Sequence, residues 1–212
     1  MRKNPTPVNK LYKDLFSRHE PRVLAALRRG TVGIAGAGGL GSNVAVSLAR
    51  AGVGRLIIAD FDKIEPSNLN RQQYFISQIG RRKVEALRDN LKKINPFSEY
   101  IIHDIKVTRA NTGDIFGEAD ILIEAFDKAE EKGMLITTWL SLYPKKPIIA
   151  ASGLAGYGQN RKLHTRKMGA LYICGDEESQ CPAGISPMAP RVAVVANMQA
   201  NLAVELLVKL KS

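Results

Sequence analysis

The chain has 212 residues, enough for one domain with a short appendage, and a domain of that size buries roughly 70% of its unfolded surface. With 45% hydrophobic and 24% charged residues it is neither disordered, collagen-like nor low in complexity. A net charge of +11 predicts attraction to a polyanion, an acidic protein or a phosphorylated ligand, unless it is only a solvated basic surface.

No run approaches the ~18 uninterrupted apolar residues of a membrane span, so no membrane association is expected. Met1–Lys10 is polar and lacks the apolar core of a secretion signal. Two cysteines, Cys174 and Cys181, make neither a disulfide framework nor a four-cysteine zinc site. The expected compartment is the reducing cytoplasm.

Residues 1–30 form a basic helical arm, with eight Lys or Arg against Asp14 and Glu20. Val8–Arg29 carries a helical apolar stripe interrupted at Pro21. Residues 31–212 read as a single unit. Thr31–Ala35 is a short apolar strand, Gly36–Gly41 a glycine-rich loop, and Ser42–Ala51 a helix. Leu56–Ala59 is a second buried strand, ending at Asp60. Helices are predicted at Arg82–Ile94, Ala110–Phe116 and Ala129–Leu142, and strands at Tyr100–Ile105, Ile121–Ala125 and Ile148–Ala151. Such alternation predicts βαβ units in a doubly wound, mostly parallel, Rossmann-like α/β sheet. Beyond it, Arg161–Thr165 and Ala170–Cys174 suit a short antiparallel pair. A crossover loop of about 175–189 follows, then a final helix with Pro190 at its first residue.

Gly36-Ala37-Gly38-Gly39-Leu40-Gly41 matches G-x-G-x-x-G between a strand and a helix. Glycine permits the tight turn and lets backbone N–H groups approach a phosphate at the helix start. Asp60 is placed to accept from ribose hydroxyls. The loop after Asp60 is dense in polar side chains: Arg71 offers a planar fork to phosphate oxygens and Lys83 a point charge. Asp127 lies just past the strand Ile121–Ala125, at the sheet edge where ligands bind in such folds. A carboxylate beside cations in a phosphate site makes sense if it holds Mg²⁺. Glycine loop, two cations and a metal carboxylate describe a triphosphate site better than a dinucleotide site.

The Gly-Ala-Gly-Gly-Leu-Gly-Ser loop, the turn Ala51-Gly52-Val53-Gly54, Asp60-Phe61-Asp62 and Ser67-Asn68-Leu69-Asn70-Arg71-Gln72 resemble the ThiF/MoeB/HesA superfamily, bacterial relatives of ubiquitin-activating enzymes. The resemblance covers roughly residues 16–208. Short length and the segment Met188-Ala189-Pro190-Arg191 are most similar to compact ThiF-type members. It implies ATP-dependent adenylation of the C-terminal glycine carboxylate of a ThiS-like sulfur carrier, in the thiazole branch of thiamine biosynthesis. Carried over residue by residue, Gly36, Gly38, Gly39 and Gly41 would approach the ATP phosphates and Asp60 the ribose. Ser67, Asn68, Arg71 and Lys83 would meet the triphosphate, and Asp127 would bind Mg²⁺. Phe16-Ser17-Arg18-His19 resembles the family segment whose arginine reaches the partner subunit's ATP, which implies a homodimer; otherwise Arg18 is one more exposed cation.

Three departures stand out. Lys128 replaces the usual Asn or Ser after Asp127 and would crowd or assist the phosphates; the paired C-x-x-C zinc motifs are absent; and Leu69-Asn70 stands for Leu-Gln. Cys181-Pro182-Ala183-Gly184 falls where many relatives carry a carrier-linked or sulfur-handling cysteine, and Cys181 is either that thiol or a plain loop residue. Cys174 reads as packing or a remnant of a zinc position. His19, His103 and His164 have no partners at metal-ligand spacing. Two alternatives stay open: a tRNA threonylcarbamoyladenosine dehydratase of the same superfamily, which shares every ATP residue, and a non-catalytic nucleotide-binding module or dehydrogenase.

Overall fold

A computed structural model describes residues 7–182 and 186–211, with the side chains of 7–9 left aside. Ala183, Gly184 and Ile185 of the crossover loop lie outside the described residues.

Two short helices, α1 (Pro7–Leu15) and α2 (Pro21–Arg29), precede β1 (Thr31–Ala35), α3 (Gly39–Ala51) and β2 (Arg55–Ala59). Then come α4 (Lys83–Ile94), β3 (Glu99–His103), α5 (Thr112–Phe116), β4 (Ile121–Glu124), α6 (Ala129–Leu142) and β5 (Ile148–Ala151). The chain closes with β6 (His164–Met168), β7 (Leu171–Gly175) and α7 (Ala189–Lys211). The described strands form one sheet in the order β3-β2-β1-β4-β5-β7-β6. All neighbours are parallel except the β6/β7 pair, the Rossmann-like arrangement expected from the alternation of elements.

Side chains alternate across the sheet, so every strand but the exposed β6 feeds two cores. Val32, Ile34, Leu56, Ile58 and Ile123 pack under α3, α4 and α7. Ala35, Ile57, Leu122 and Ile148 pack with Phe116, Leu135 and Trp139 of α5 and α6. The arm is joined to the first core through Leu27, and Phe16 packs over Gly52 at the far end of α3. At 23 residues α7 is long and apolar enough to cross a membrane by composition alone. Here Val195, Ala196, Ala200, Ala203, Leu206 and Leu207 bury its face in the first core.

Several bounds differ from the sequence reading by one or two residues, and two elements shift further. α3 begins inside the glycine motif, at Gly39 rather than Ser42. The first C-terminal strand runs over His164–Met168 because Asn160–Lys162 closes a 3₁₀ turn after Gln159, whose φ is +50°.

Strand order reverses between β1 and β4. Their carboxyl ends, with that of β2, open onto a cleft of about 740 Å³. A crevice at such a switch point is where open α/β sheets bind ligands.

Candidate active site

The loop after β1 forms the cleft floor. Gly36 has φ +101°, and a Cβ there would meet the Ala125 carbonyl at 2.7 Å. Gly41 lies one turn into α3, where a Cβ would fall 1.9 Å from the Gly36 carbonyl. Both glycines are therefore demanded by backbone approach. Of the four glycines in the motif, Gly36, Gly38 and Gly39 line the cleft, while Gly41 is buried beneath the turn. Its place in the motif is structural.

Asp60 fastens this loop. One carboxylate oxygen accepts from the Ala37 N–H (2.6 Å) and the other from the Asp62 N–H (2.8 Å). Burial pushes the Asp60 carboxyl above the usual carboxylate range, opposed by nearby Lys83 and those two N–H groups. Asp60 lines the cleft, and each of its oxygens has a lone pair beyond the one these N–H groups use. Tyr74, which the sequence did not single out, donates its hydroxyl to the Ala37 carbonyl at 2.7 Å.

The polar segment after β2 folds over the start of α3. Asn43 Nδ2 donates to the Gly39 carbonyl (2.6 Å) and to the Arg71 carbonyl (3.0 Å), joining the glycine loop to the arginine. The Arg71 guanidinium donates to the Ser67 carbonyl and to Asn70 Oδ1. Asn68, Arg71 and Gln72 line the cleft; Ser67 does not, and only its carbonyl takes part, as the Arg71 acceptor. Gln72 is buried, and its Oε1 has no hydrogen-bond partner among the described residues. A buried carbonyl oxygen left unpaired beside a cleft suits a ligand donor. Lys83 opens α4 with its side chain almost buried, its Nζ 2.7 Å from Asp62 Oδ2.

Across the cleft, β4 ends in Glu124, a fully buried carboxylate. Lys132 of α6 reaches it at 2.8 Å and also donates to the Ala151 carbonyl. Burial pushes the Glu124 carboxyl up, with Lys132 acting against it. Gln199 of α7 ties the Glu124 and Ile149 carbonyls together. Asp127 follows on the exposed rim, making no hydrogen bond or ion pair among the described residues. Its oxygens are free for a hard cation. No group of three His, Cys, Asp or Glu able to hold a metal occurs among the described residues. A Mg²⁺ held there by Asp127 would thus keep mostly water and phosphate oxygens, as Mg²⁺ commonly does.

Behind the residues that line this end of the cleft lies a buried ion pair that the sequence did not reveal. Asp176, just after β7, faces Arg191 at the start of α7, both side chains under 5% exposed. Asp176 Oδ1 also accepts from the Ser179 N–H (2.8 Å), the Glu178 N–H (3.0 Å) and the Ser179 hydroxyl (3.0 Å). Burial opposes ionisation, but the Ser179 and Glu178 N–H groups, the Ser179 hydroxyl and Arg191 together bring the Asp176 carboxyl down to about 2. A Cβ on Gly153 (φ +72°) would occupy the carboxylate's place, 1.9 Å from Oδ1. Arg191 donates to the Gly158 carbonyl as well, so the pair ties three segments around the mouth. Half-buried Cys181 lines the cleft just beyond; Cys174 is fully buried in β7, and both cysteines are free. Burial pushes the Cys174 thiol up.

Arg18 stands apart. It is exposed on the turn between α1 and α2, beside the Phe16 that covers the carboxyl end of α3. Thirteen residues of helix, about 20 Å, separate that end from the glycine loop of the same chain.

A parallel doubly wound sheet with a polar cleft at its switch point defines a Rossmann-like protein. Within that class the chain belongs to the ThiF family, whose model matches residues 12–212. It is 33% identical over 177 residues to the adenylyltransferase and sulfurtransferase MOCS3 of Aedes aegypti, covering 79% of this chain and 40% of that protein. It is 37% identical over 117 residues to ubiquitin-like modifier-activating enzyme 5 of Caenorhabditis elegans, covering 50% and 28%. The chain spans less than half the length of these relatives. Among solved structures, the tRNA N6-threonylcarbamoyladenosine dehydratase TcdA of E. coli in complex with AMP superposes with a TM-score of 0.85 at 19% identity, covering 97% of this chain and 98% of that one. E. coli MccB with MccA superposes at 0.70 with 23% identity, covering 97% and 65%.

Proposed function

We propose that this protein is an adenylyltransferase that uses ATP and Mg²⁺ to activate the C-terminal carboxylate of a small ThiS-like sulfur carrier, in the thiazole branch of thiamine biosynthesis in the cytoplasm. The observation that supports this most is the convergence of Gly38, Gly39, Asp60, Asn68, Arg71, Lys83 and Asp127 on one cleft, from five separate segments. Membership of the ThiF family, and relatives named as adenylyltransferases, point the same way.

In the reaction a carboxylate oxygen attacks the α-phosphorus, a new P–O bond forms, and the bond to the β-phosphate oxygen breaks. Pyrophosphate carries away the electron pair. The products are an acyl-adenylate and pyrophosphate. Positioning and charge neutralisation do most of such work. The glycine-loop N–H groups bind the phosphates, Asp60 orients the ribose, and Arg71 and Lys83 take charge developing on the leaving group. Asp127 holds Mg²⁺, which supplies further neutralisation when bound. Arg18 serves the cleft of a second copy, which makes the working unit a homodimer. Cys181 stands at the mouth as the candidate sulfur-handling thiol, the reading that a plain loop cysteine competes with.

The net charge of +11 and the near full-length superposition on TcdA favour one second reading, tRNA as the carboxylate donor. Exchange of labelled pyrophosphate into ATP separates the two. The carrier reading predicts exchange that requires the carrier's free C-terminal carboxylate. Exchange supported by modified tRNA and not by carriers would transfer the activity to RNA. Binding of NAD without Mg²⁺-dependent binding of ATP would establish the non-adenylating alternative.

A further inference from the structure

Among the described residues five cations line the cleft: Arg71, Lys83, Lys106, Lys128 and Lys132. Four are already engaged. Arg71 is held by the Ser67 carbonyl and Asn70, Lys83 by Asp62 at 2.7 Å, Lys106 by Glu131 at 3.4 Å, and Lys132 by Glu124 at 2.8 Å. The Lys128 side chain makes no hydrogen bond or ion pair among the described residues.

Its position is also one that local preferences disfavour. Lys128 is the cap residue just before α6, extended at φ −90° and ψ 127°, and it makes no side-chain cap hydrogen bond. Ser, Thr, Asp or Asn would accept an N–H of the first turn there, and a cation meets the positive end of the helix dipole. Glu130 and Glu131 in that turn have the favourable sign; Lys128 does not. A residue that breaks a local rule inside a ligand cleft is best explained by the ligand.

We infer that Lys128 is a catalytic cation of the adenylation site: its ammonium binds the β- and γ-phosphate oxygens of ATP and follows them as they leave as pyrophosphate. The inference rests on the adenylation reading above. With Lys83 answered by Asp62, Lys106 by Glu131 and Lys132 by Glu124, the cleft charges without an ion pair among the described residues are Asp60 and Asp127 against Arg71, which neutral oxygens hold, and Lys128. A triphosphate therefore needs cations that are not already answered, and Lys128 is one that this chain supplies without breaking a pair.

The test is Lys128→Asn, which puts a good helix cap in place of the cation, alongside Lys128→Arg. Calorimetric titration of the full chain with ATP plus Mg²⁺, and with AMP, gives the readout. Lys128→Asn is expected to raise the unfolding midpoint by about 2–4 °C. It should weaken ATP binding about tenfold with AMP affinity unchanged, and Lys128→Arg should restore ATP binding to within about threefold. ATP binding by Lys128→Asn equal to wild type overturns the inference. So does equal loss of AMP and ATP binding. A wild-type chain that fails to bind ATP with Mg²⁺ overturns the adenylation reading itself, which keeps the two failures distinct.

Discussion

Lys83 and Asp62 form an ion pair at 2.7 Å on the cleft wall, with the lysine side chain almost buried and the aspartate half-exposed. Asp62 holds the ammonium in place at the cleft, where the proposed adenylation calls for a cation beside phosphate. Lys83→Met is expected to keep the fold, since the exposed Asp62 can be hydrated. It should lower kcat/KM for adenylation by about a hundredfold, roughly 3 kcal/mol of transition-state stabilisation. Pyrophosphate exchange measured beside a thermal melt checks both halves.

Glu124 and Lys132 carry the opposite risk. Removing Lys132 strands a carboxylate with no exposed surface, and a broken buried pair costs about 3–5 kcal/mol. Lys132→Met should therefore lower urea-unfolding stability by that much. The double variant Glu124→Gln/Lys132→Met should recover a large part of the loss, because no buried charge remains. A single variant as stable as wild type would show that the pair is not needed.

The Asp176 carboxyl, brought down to about 2, gives a pH prediction with a definite sign. A carboxylate more acidic in the folded state stabilises the fold above its unfolded value of roughly 3.9. That contribution, about 2 kcal/mol, is lost as pH falls from about 4 to about 2. Asp176→Asn should be less stable than wild type at pH 7, and the gap should narrow across that window. A gap independent of pH would mean that the pair with Arg191 acts by packing alone.

Much of the fold was legible from apolar periodicity. β1, α6 and β5 have the same bounds in sequence and structure, because each is an apolar run or stripe ended by turn residues or charge. β6 was displaced because all five of its residues are exposed, leaving no inward face to set a register. The glycine motif, Asp60 and Asp127 could be placed at the cleft because they follow strand ends, and Asn68, Arg71 and Lys83 because they fall in the polar stretch between β2 and the start of α4. Glu124–Lys132 and Asp176–Arg191 were not, since each pair spans two elements whose packing no local pattern specifies. One signal existed: an acid inside the run Ile121-Leu122-Ile123-Glu124-Ala125 requires a buried partner. Gly41 and Ser67 carry the motif's spelling without facing the cleft.

The central claim is that Asp127 holds magnesium on a triphosphate whose α-phosphorus is attacked by a carboxylate. Carrier-dependent exchange of labelled pyrophosphate into ATP, run on wild type and Asp127→Ala at matched folding, tests it most directly. The account predicts exchange in wild type that requires Mg²⁺, and a loss of at least about a hundredfold in Asp127→Ala with an unchanged unfolding midpoint. Near wild-type exchange in Asp127→Ala would contradict it.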